Sequence, residues 1–243
     1  MSAKAGPGRT TARVDAIDAA RTAALANMVA FHFLYDLLVL GFRAEAYGSW
    51  FLPWAKGIAG SFLLLAGASL WLAHGRGTRW RGFWWRFGQL AGAAAAVSAA
   101  TYVAMPDVWV RFGILHSIAA ASLIGVACLR LPWPAIAGLG LAFLWGRDPL
   151  RAALDGVEGA LGLVTGLAWT VPPMMDYEPI LPWAAPLLFG LAGAKALDAA
   201  WPRLARIDLP GWTTWPGRHS LAIYLLHQPV LFGGLMAVRW ATG

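Results

Sequence analysis

Asn27-Met28-Val29-Ala30-Phe31-His32-Phe33-Leu34-Tyr35-Asp36 lies inside an apolar run long enough to cross a bilayer, and it carries a histidine and an aspartate four residues apart. On a helix these two stand one turn apart on the same face. An ionised carboxylate near the middle of a membrane helix costs roughly 2.5–3.5 kcal/mol, whereas a lipid-facing leucine carries no such cost. Something inside the protein must therefore face His32 and Asp36.

The rest of the chain has the composition of a membrane protein. Of its 243 residues 59% are hydrophobic and 13% charged, against about 25% charged in soluble domains; the mean hydropathy is +0.58. Many of the 15 tryptophans sit at the ends of apolar runs, among them Trp50, Trp54, Trp80, Trp109, Trp133, Trp183, Trp215 and Trp240. That is the aromatic belt of a bilayer-spanning protein. The runs are continuous rather than alternating, which favours helices over a barrel. The net charge of +7 clusters in short loops, as topology requires, so a nucleic-acid partner is excluded. Cys128 is the single cysteine, which rules out an intrachain disulfide and a cysteine-based metal cluster. The first apolar segment is too long for a cleavable signal and reads as a signal anchor.

The expected fold is an all-α polytopic bundle of about seven transmembrane helices, with a polar cytoplasmic tail at 1–17 and one membrane domain at 18–240. The spans fall near 19–42, 53–73, 86–104, 109–129, 132–146, 179–200 and 216–239, with a long connection over 147–178. Asp18 reads as the N-cap of the first span. Within the connection, Gly156–Val171 is apolar but marginal in length, and an interfacial or re-entrant helix is expected there. Basic residues in the tail, the 74–86 loop, Arg130 and the 201–218 loop place the N-terminus in the cytoplasm and the C-terminus outside.

With that topology His32, Asp36, Arg111, His116, Asp176, Tyr177, His227 and Gln228 share the outer half of the membrane. Intramembrane ionisable groups mark sites or paths. A carboxylate beside an imidazole fixes its tautomer and raises its basicity, so His32 and Asp36 could be an acid–base pair. The alternative, a buried pair that sets helix rotation, carries less weight because membrane interiors penalise polar groups without a task. His116 could act in catalysis or bond a backbone carbonyl. His227 and Gln228 could bind substrate or satisfy carbonyls freed by Pro229. Arg111 could hold an anion or reach for the interface. His74 and His219 read as interfacial. No His-x-x-x-His spacing suggests a metal; haem between His32 and His227 is a lesser alternative.

Five blocks in order resemble one family. They are Arg13-x4-Asp18-x2-Arg21, Met28-x3-His32-x3-Asp36, Arg111-Phe112-Gly113-Ile114-Leu115-His116, Asp176-Tyr177-Glu178-Pro179-Ile180-Leu181-Pro182-Trp183, and the run Gly217–Pro229 ending in His227-Gln228-Pro229. Together they resemble the bacterial membrane proteins of the heparan-α-glucosaminide N-acetyltransferase catalytic-domain family. Thr22 replaces the usual glycine of the first block. The catalytic histidine of the longer lysosomal member lies after its first span, where this chain has none between residues 33 and 73.

The resemblance implies acyl transfer from cytoplasmic acyl-CoA, acetyl-CoA in the type member, to a sugar or glycan acceptor across a bacterial inner membrane. On that basis His32, Asp36 and His116 are the expected catalytic residues. Arg111, Asp176, Tyr177, His227 and Gln228 would bind the acceptor, and Arg13, Arg21, Arg79, Arg81 and Arg218 would attract the donor's phosphates. No metal is expected. The partners are membrane lipid, acyl-CoA and acceptor, and a homodimer is compatible with the sequence. The competing class is a small-solute transporter or a structural membrane protein without enzymatic activity.

Overall fold

The computed structural model describes residues 14–242, so Arg13 lies outside the described residues. The chain forms α1 (Asp15–Val39), α2 (Phe51–His74), α3 (Trp80–Ala104), α4 (Ile114–Cys128), α5 (Trp133–Ala153), α6 (Gly159–Thr165), α7 (Ile180–Ala196), α8 (Trp201–Leu204), α9 (Gly211–Arg218) and α10 (Ser220–Thr242). An isolated parallel bridge joins Phe112 to Tyr177. The all-α class is as expected. Helices α1, α2, α3 and α10 are long and apolar enough to cross a membrane, while α4 and α7 are apolar but shorter. Length and composition thus qualify four helices as full spans, fewer than the seven expected.

Several boundaries differ for physical reasons. Helix α1 starts at Asp15 behind an N-cap at Val14. Asp18 is therefore not a cap; it sits in the first turn, where the helix dipole favours a carboxylate. Helix α5 runs past residue 146 to Ala153 although Arg147, Asp148 and Pro149 follow. Asp148 pairs with Arg147 at 3.2 Å and Arg151 at 3.0 Å, and Arg151 stacks over Trp169 at 4.6 Å. Those contacts keep a polar end helical. The Gly156–Val171 segment holds only the seven-residue α6, about 10 Å long at 1.5 Å per residue, too short to cross. Gly166, at φ +85°, ends α6 in the left-handed conformation that glycine adopts readily.

The centre of the bundle is α7, whose Ala184, Ala185, Leu187, Leu188 and Leu191 are fully buried. Small residues bring it against α2. A Cβ on Gly67 would overlap Leu187 O, and one on Gly190 would overlap Leu64 O. Backbones that meet through glycine are the usual packing of apolar helices that gain little from hydrophobic burial in lipid. Helix α10 lies at the periphery and has no buried residue. Its Leu226, Val230, Met236 and Trp240 are exposed, as suits a lipid-facing surface.

The helix ends sort into two layers. At one end Arg21 donates to Ser69 Oγ at 2.5 Å, Trp71 to Asp198 at 3.0 Å, and Lys195 to Leu129 O and Leu131 O at 2.9 and 2.7 Å. At the other, Tyr47 donates to Leu34 O, Ile114 N–H to Asp176, and Tyr177 to Leu163 O, at 3.0, 2.8 and 2.9 Å. Consecutive long helices therefore alternate in direction.

Candidate active site

At the first end, a cavity of about 1240 Å³ opens among α1, α2, α3, α4 and α10. Arg21, Arg79, Arg81 and Arg86 line it, together with apolar Leu65, Leu90, Leu115 and Ile118, and it reaches Tyr224. Cations at one part of a largely apolar chamber suit an amphiphilic anion. Beside it, α1 and α9 are clamped. Asp18, 2% exposed, accepts from Arg21 at 3.0 Å and from Arg218 at 3.3 Å, and Arg218 also reaches Asp15 at 2.8 Å. Gly217 N–H donates to Thr22 Oγ1 at 2.9 Å. A Cβ on Gly217 would overlap Asp18 O. Arg21 thus both anchors this clamp and faces the cavity, whereas Arg218 is engaged with two carboxylates.

Where α1 meets α10, four polar side chains form a seam. His32 Nδ1 lies 3.0 Å from Met28 O, one turn back on its own helix. A carbonyl can only accept, so Nδ1 carries the proton and Nε2 is left as a base. His227 Nδ1 likewise bonds Tyr224 O, which turns its Nε2 toward His32 Nδ1 at 3.4 Å. The two rings meet edge to face with centroids 4.8 Å apart. That contact leaves no room for a porphyrin between them. Asp36, 1% exposed, accepts from Gln228 Nε2 at 2.8 Å. Asp36 Oδ2 and Gln228 Oε1 are buried without partners among the described residues.

The residues that the sequence placed at one depth on α1 and α10 do meet, but not in the expected pairing. His32 and Asp36 share a face, yet each bonds a group other than its neighbour. The imidazole is oriented by Met28 O and His227, and the carboxylate by Gln228.

The start of α4 forms a second polar group. His116 Nδ1 accepts from Gly113 N–H at 3.3 Å, so its proton is on Nε2, 3.3 Å from Ser98 Oγ. Ser98 passes its own proton to Val110 O at 2.7 Å. Asp176 Oδ2 accepts Ile114 N–H at 2.8 Å and so caps α4 from a distant loop. Glu178 N–H donates to Phe112 O at 3.1 Å. Burial pushes Asp176 up to about 6 against the pull of that hydrogen bond. Glu178 is pushed up to about 9 by burial, reinforced by Asp176 and opposed by Lys56. Arg111 forms no ion pair with Asp36 or Asp176: it donates to Pro173 O at 3.2 Å and lies over Trp109 at 4.8 Å. Tyr177 donates to Leu163 O.

Of the candidates, the structure joins His32, Asp36, His227 and Gln228 in the seam, and His116 with Asp176 at α4. Tyr224 lies between the cavity and the seam: it lines the cavity, and its ring centroid is 5.7 Å from that of His227. Sequence reasoning missed Tyr224, although its position one turn before His227 on a helix was a usable signal. Glu178 stands in the Asp176–Trp183 block of the sequence but received no role there. His74 is buried in the protein rather than solvated, and Arg79 N–H in the following turn donates to its Nδ1 at 3.3 Å. Among the described residues, no three His, Cys, Asp or Glu side chains gather as a metal site.

No curated protein and no solved structure matches the chain. A family model does, and its match runs over residues 13–229, from the arginine before α1 to the proline after Gln228. It spans the clamp, the cavity, the seam and the α4 cap. The chain belongs to the family described as heparan-alpha-glucosaminide N-acetyltransferase, catalytic.

Proposed function

We propose that this protein transfers an acyl group from cytoplasmic acyl-CoA, acetyl-CoA first among them, to a sugar or glycan on the far side of a bacterial inner membrane. The observation that carries the reading is the arginine-lined cavity that ends at Tyr224, beside the histidine pair. Its volume of about 1240 Å³ exceeds the roughly 300–1,000 Å³ of common small-molecule pockets. The arginines, Arg13 of the tail among them, meet the donor's phosphates, and the apolar depth takes its pantetheine arm. In this reading α4, α5 and α7 cross along with the four longer helices, and the N-terminus is cytoplasmic.

The chemistry is direct transfer. His32 Nε2 takes the proton from the acceptor hydroxyl or amine as that atom attacks the thioester carbonyl carbon. The tetrahedral intermediate collapses, the carbon–sulfur bond breaks, and the thiolate leaves with the proton from His32. Donation from Nδ1 toward Met28 O and His227 holds the ring and raises the basicity of Nε2. Asp36 and Gln228 stabilise the imidazolium and hold α10 in register. His116 and Asp176 fix the start of α4, and Arg111 and Tyr177 frame the acceptor's approach.

Proteoliposomes with acetyl-CoA on one side and hexosamine on the other test the sidedness. Acetylated sugar should form only when the donor is on the arginine-lined side. Solute uptake without CoA release would favour a transporter, and activity from either side would contradict the vectorial reading.

A further inference from the structure

We propose that Arg86, with Arg21, forms a phosphate-binding subsite where two cavities meet. Arg86 lies in α3 just past Trp84-Trp85, and its side chain lines both the large cavity and a second one of about 540 Å³. Arg21 and Ser220 also line both, and Gln89, Arg218 and His219 line the smaller one. Arg21 and Arg218 have carboxylate partners. Arg86 makes neither an ion pair nor a hydrogen bond among the described residues.

Both arginines line the junction, but only Arg21 has a carboxylate, Asp18, to offset its charge; the charge of Arg86 is left for an anion from outside. The groups around the junction are mostly donors: guanidinium N–H, the Ser220 hydroxyl and the Gln89 amide. Planar guanidinium groups bind phosphate oxygens in pairs, which a lone lysine cannot do. The first turn of the 23-residue α10 adds a positive helix end on the same side. The ligand chemistry is therefore a phosphate or diphosphate group. The donor's diphosphate supplies it if the acyl-CoA reading holds, on which that assignment rests; an anionic lipid headgroup presents the same chemistry. The geometry divides the donor, with phosphates at the junction and the acyl-bearing arm in the large apolar chamber.

The test uses the full-length protein, delipidated in detergent, with CoA, pantetheine and inorganic pyrophosphate as probes. Wild type should bind CoA, and pyrophosphate should compete for it. Arg86→Gln should weaken CoA binding about tenfold or more, the loss of a charge-assisted contact, and leave pantetheine binding unchanged. Exposed Arg203 lines neither cavity, and Arg203→Gln should alter neither. If Arg86→Gln does not fold, competition by pyrophosphate in wild type still decides, and its absence overturns the subsite. CoA binding that Arg86→Gln changes by less than about twofold overturns the subsite and leaves the acyl-CoA reading standing. If wild type binds no CoA, that reading fails instead. Arg86-dependent binding of phosphatidylglycerol vesicles would then keep the subsite with a lipid headgroup, and no Arg86-dependent binding of either ligand would remove it.

Discussion

The α1–α10 seam and the start of α4 hold similar side chains bonded to different kinds of partner. At α4, Asp176 spends an oxygen on Ile114 N–H, and both nitrogens of His116 are engaged, by Gly113 N–H and Ser98. These groups bond mainly to backbone, and they end a helix. In the seam, side chain meets side chain, and buried Asp36 Oδ2 and Gln228 Oε1 are left over. A buried polar atom without a partner costs about 1–3 kcal/mol. Orphan atoms occur in both places, since Glu178 Oε2 and Ser117 Oγ are also buried without partners among the described residues; what separates the two is that the α4 groups bond backbone at a helix start, whereas the seam groups bond one another beside Tyr224, which lines the cavity. The contrast predicts that substitutions in the seam act on turnover first and those at α4 on stability first.

The largest effect should come from His32→Ala. Loss of a general base lowers rates about 10²–10⁴-fold, and the folded variant should keep its thermal unfolding midpoint within a few degrees. Gln228→Leu strips Asp36 of its remaining bond, and a loss of about tenfold or more in kcat with acceptor KM little changed would place Asp36 in the reacting layer. Asp176→Ala should behave in the other way. It removes a helix cap worth about 0.5–2 kcal/mol, so it lowers the unfolding midpoint, while Asp176→Asn, which still offers an oxygen, recovers part of that stability.

The pH dependence sharpens the same comparison. Both carboxyls of the α4 loop are raised, Asp176 to about 6 and Glu178 to about 9. The folded protein then binds more protons than the unfolded chain, and stability falls as pH rises. Their contribution is whole below the ordinary carboxylate range and is lost as pH climbs through about 6 and then about 9. Unfolding midpoints measured across that range should decline, and Glu178→Gln should flatten the upper part of the slope. A midpoint that rises toward pH 9 would contradict the upward shift of Glu178. The smallest effect belongs to Arg111→Ala: a rise of a few-fold at most in acceptor KM, because the side chain is engaged by Pro173 O and Trp109 and pairs with neither carboxylate.

The sequence made the seam legible through residue depth. Counting along apolar runs put His32, Asp36, His227 and Gln228 in one layer, and the helices do bring them together. Pairing was not legible, since helical spacing gives the face and not the rotamer; His32 bonds back to Met28 rather than forward to Asp36. Asp18 looked like a cap because its distant partner, Arg218, meets it only through a fold that brings α9 back against α1. Helix α5 outran its apolar run because Asp148 and Arg151 stabilise each other locally and Trp169 covers Arg151. Arg86 was counted with the basic loop, and only the start of α3 at Trp80 places it at the cavities.

The central claim is acyl transfer at the α1–α10 seam. Purified protein given acetyl-CoA and a hexosamine or bacterial glycan extract should release CoA in step with acetylated acceptor. Release should vanish in His32→Ala and persist in folded Asp176→Asn. CoA release at the wild-type rate from folded His32→Ala, or none from wild type with any acceptor extract, would contradict the account.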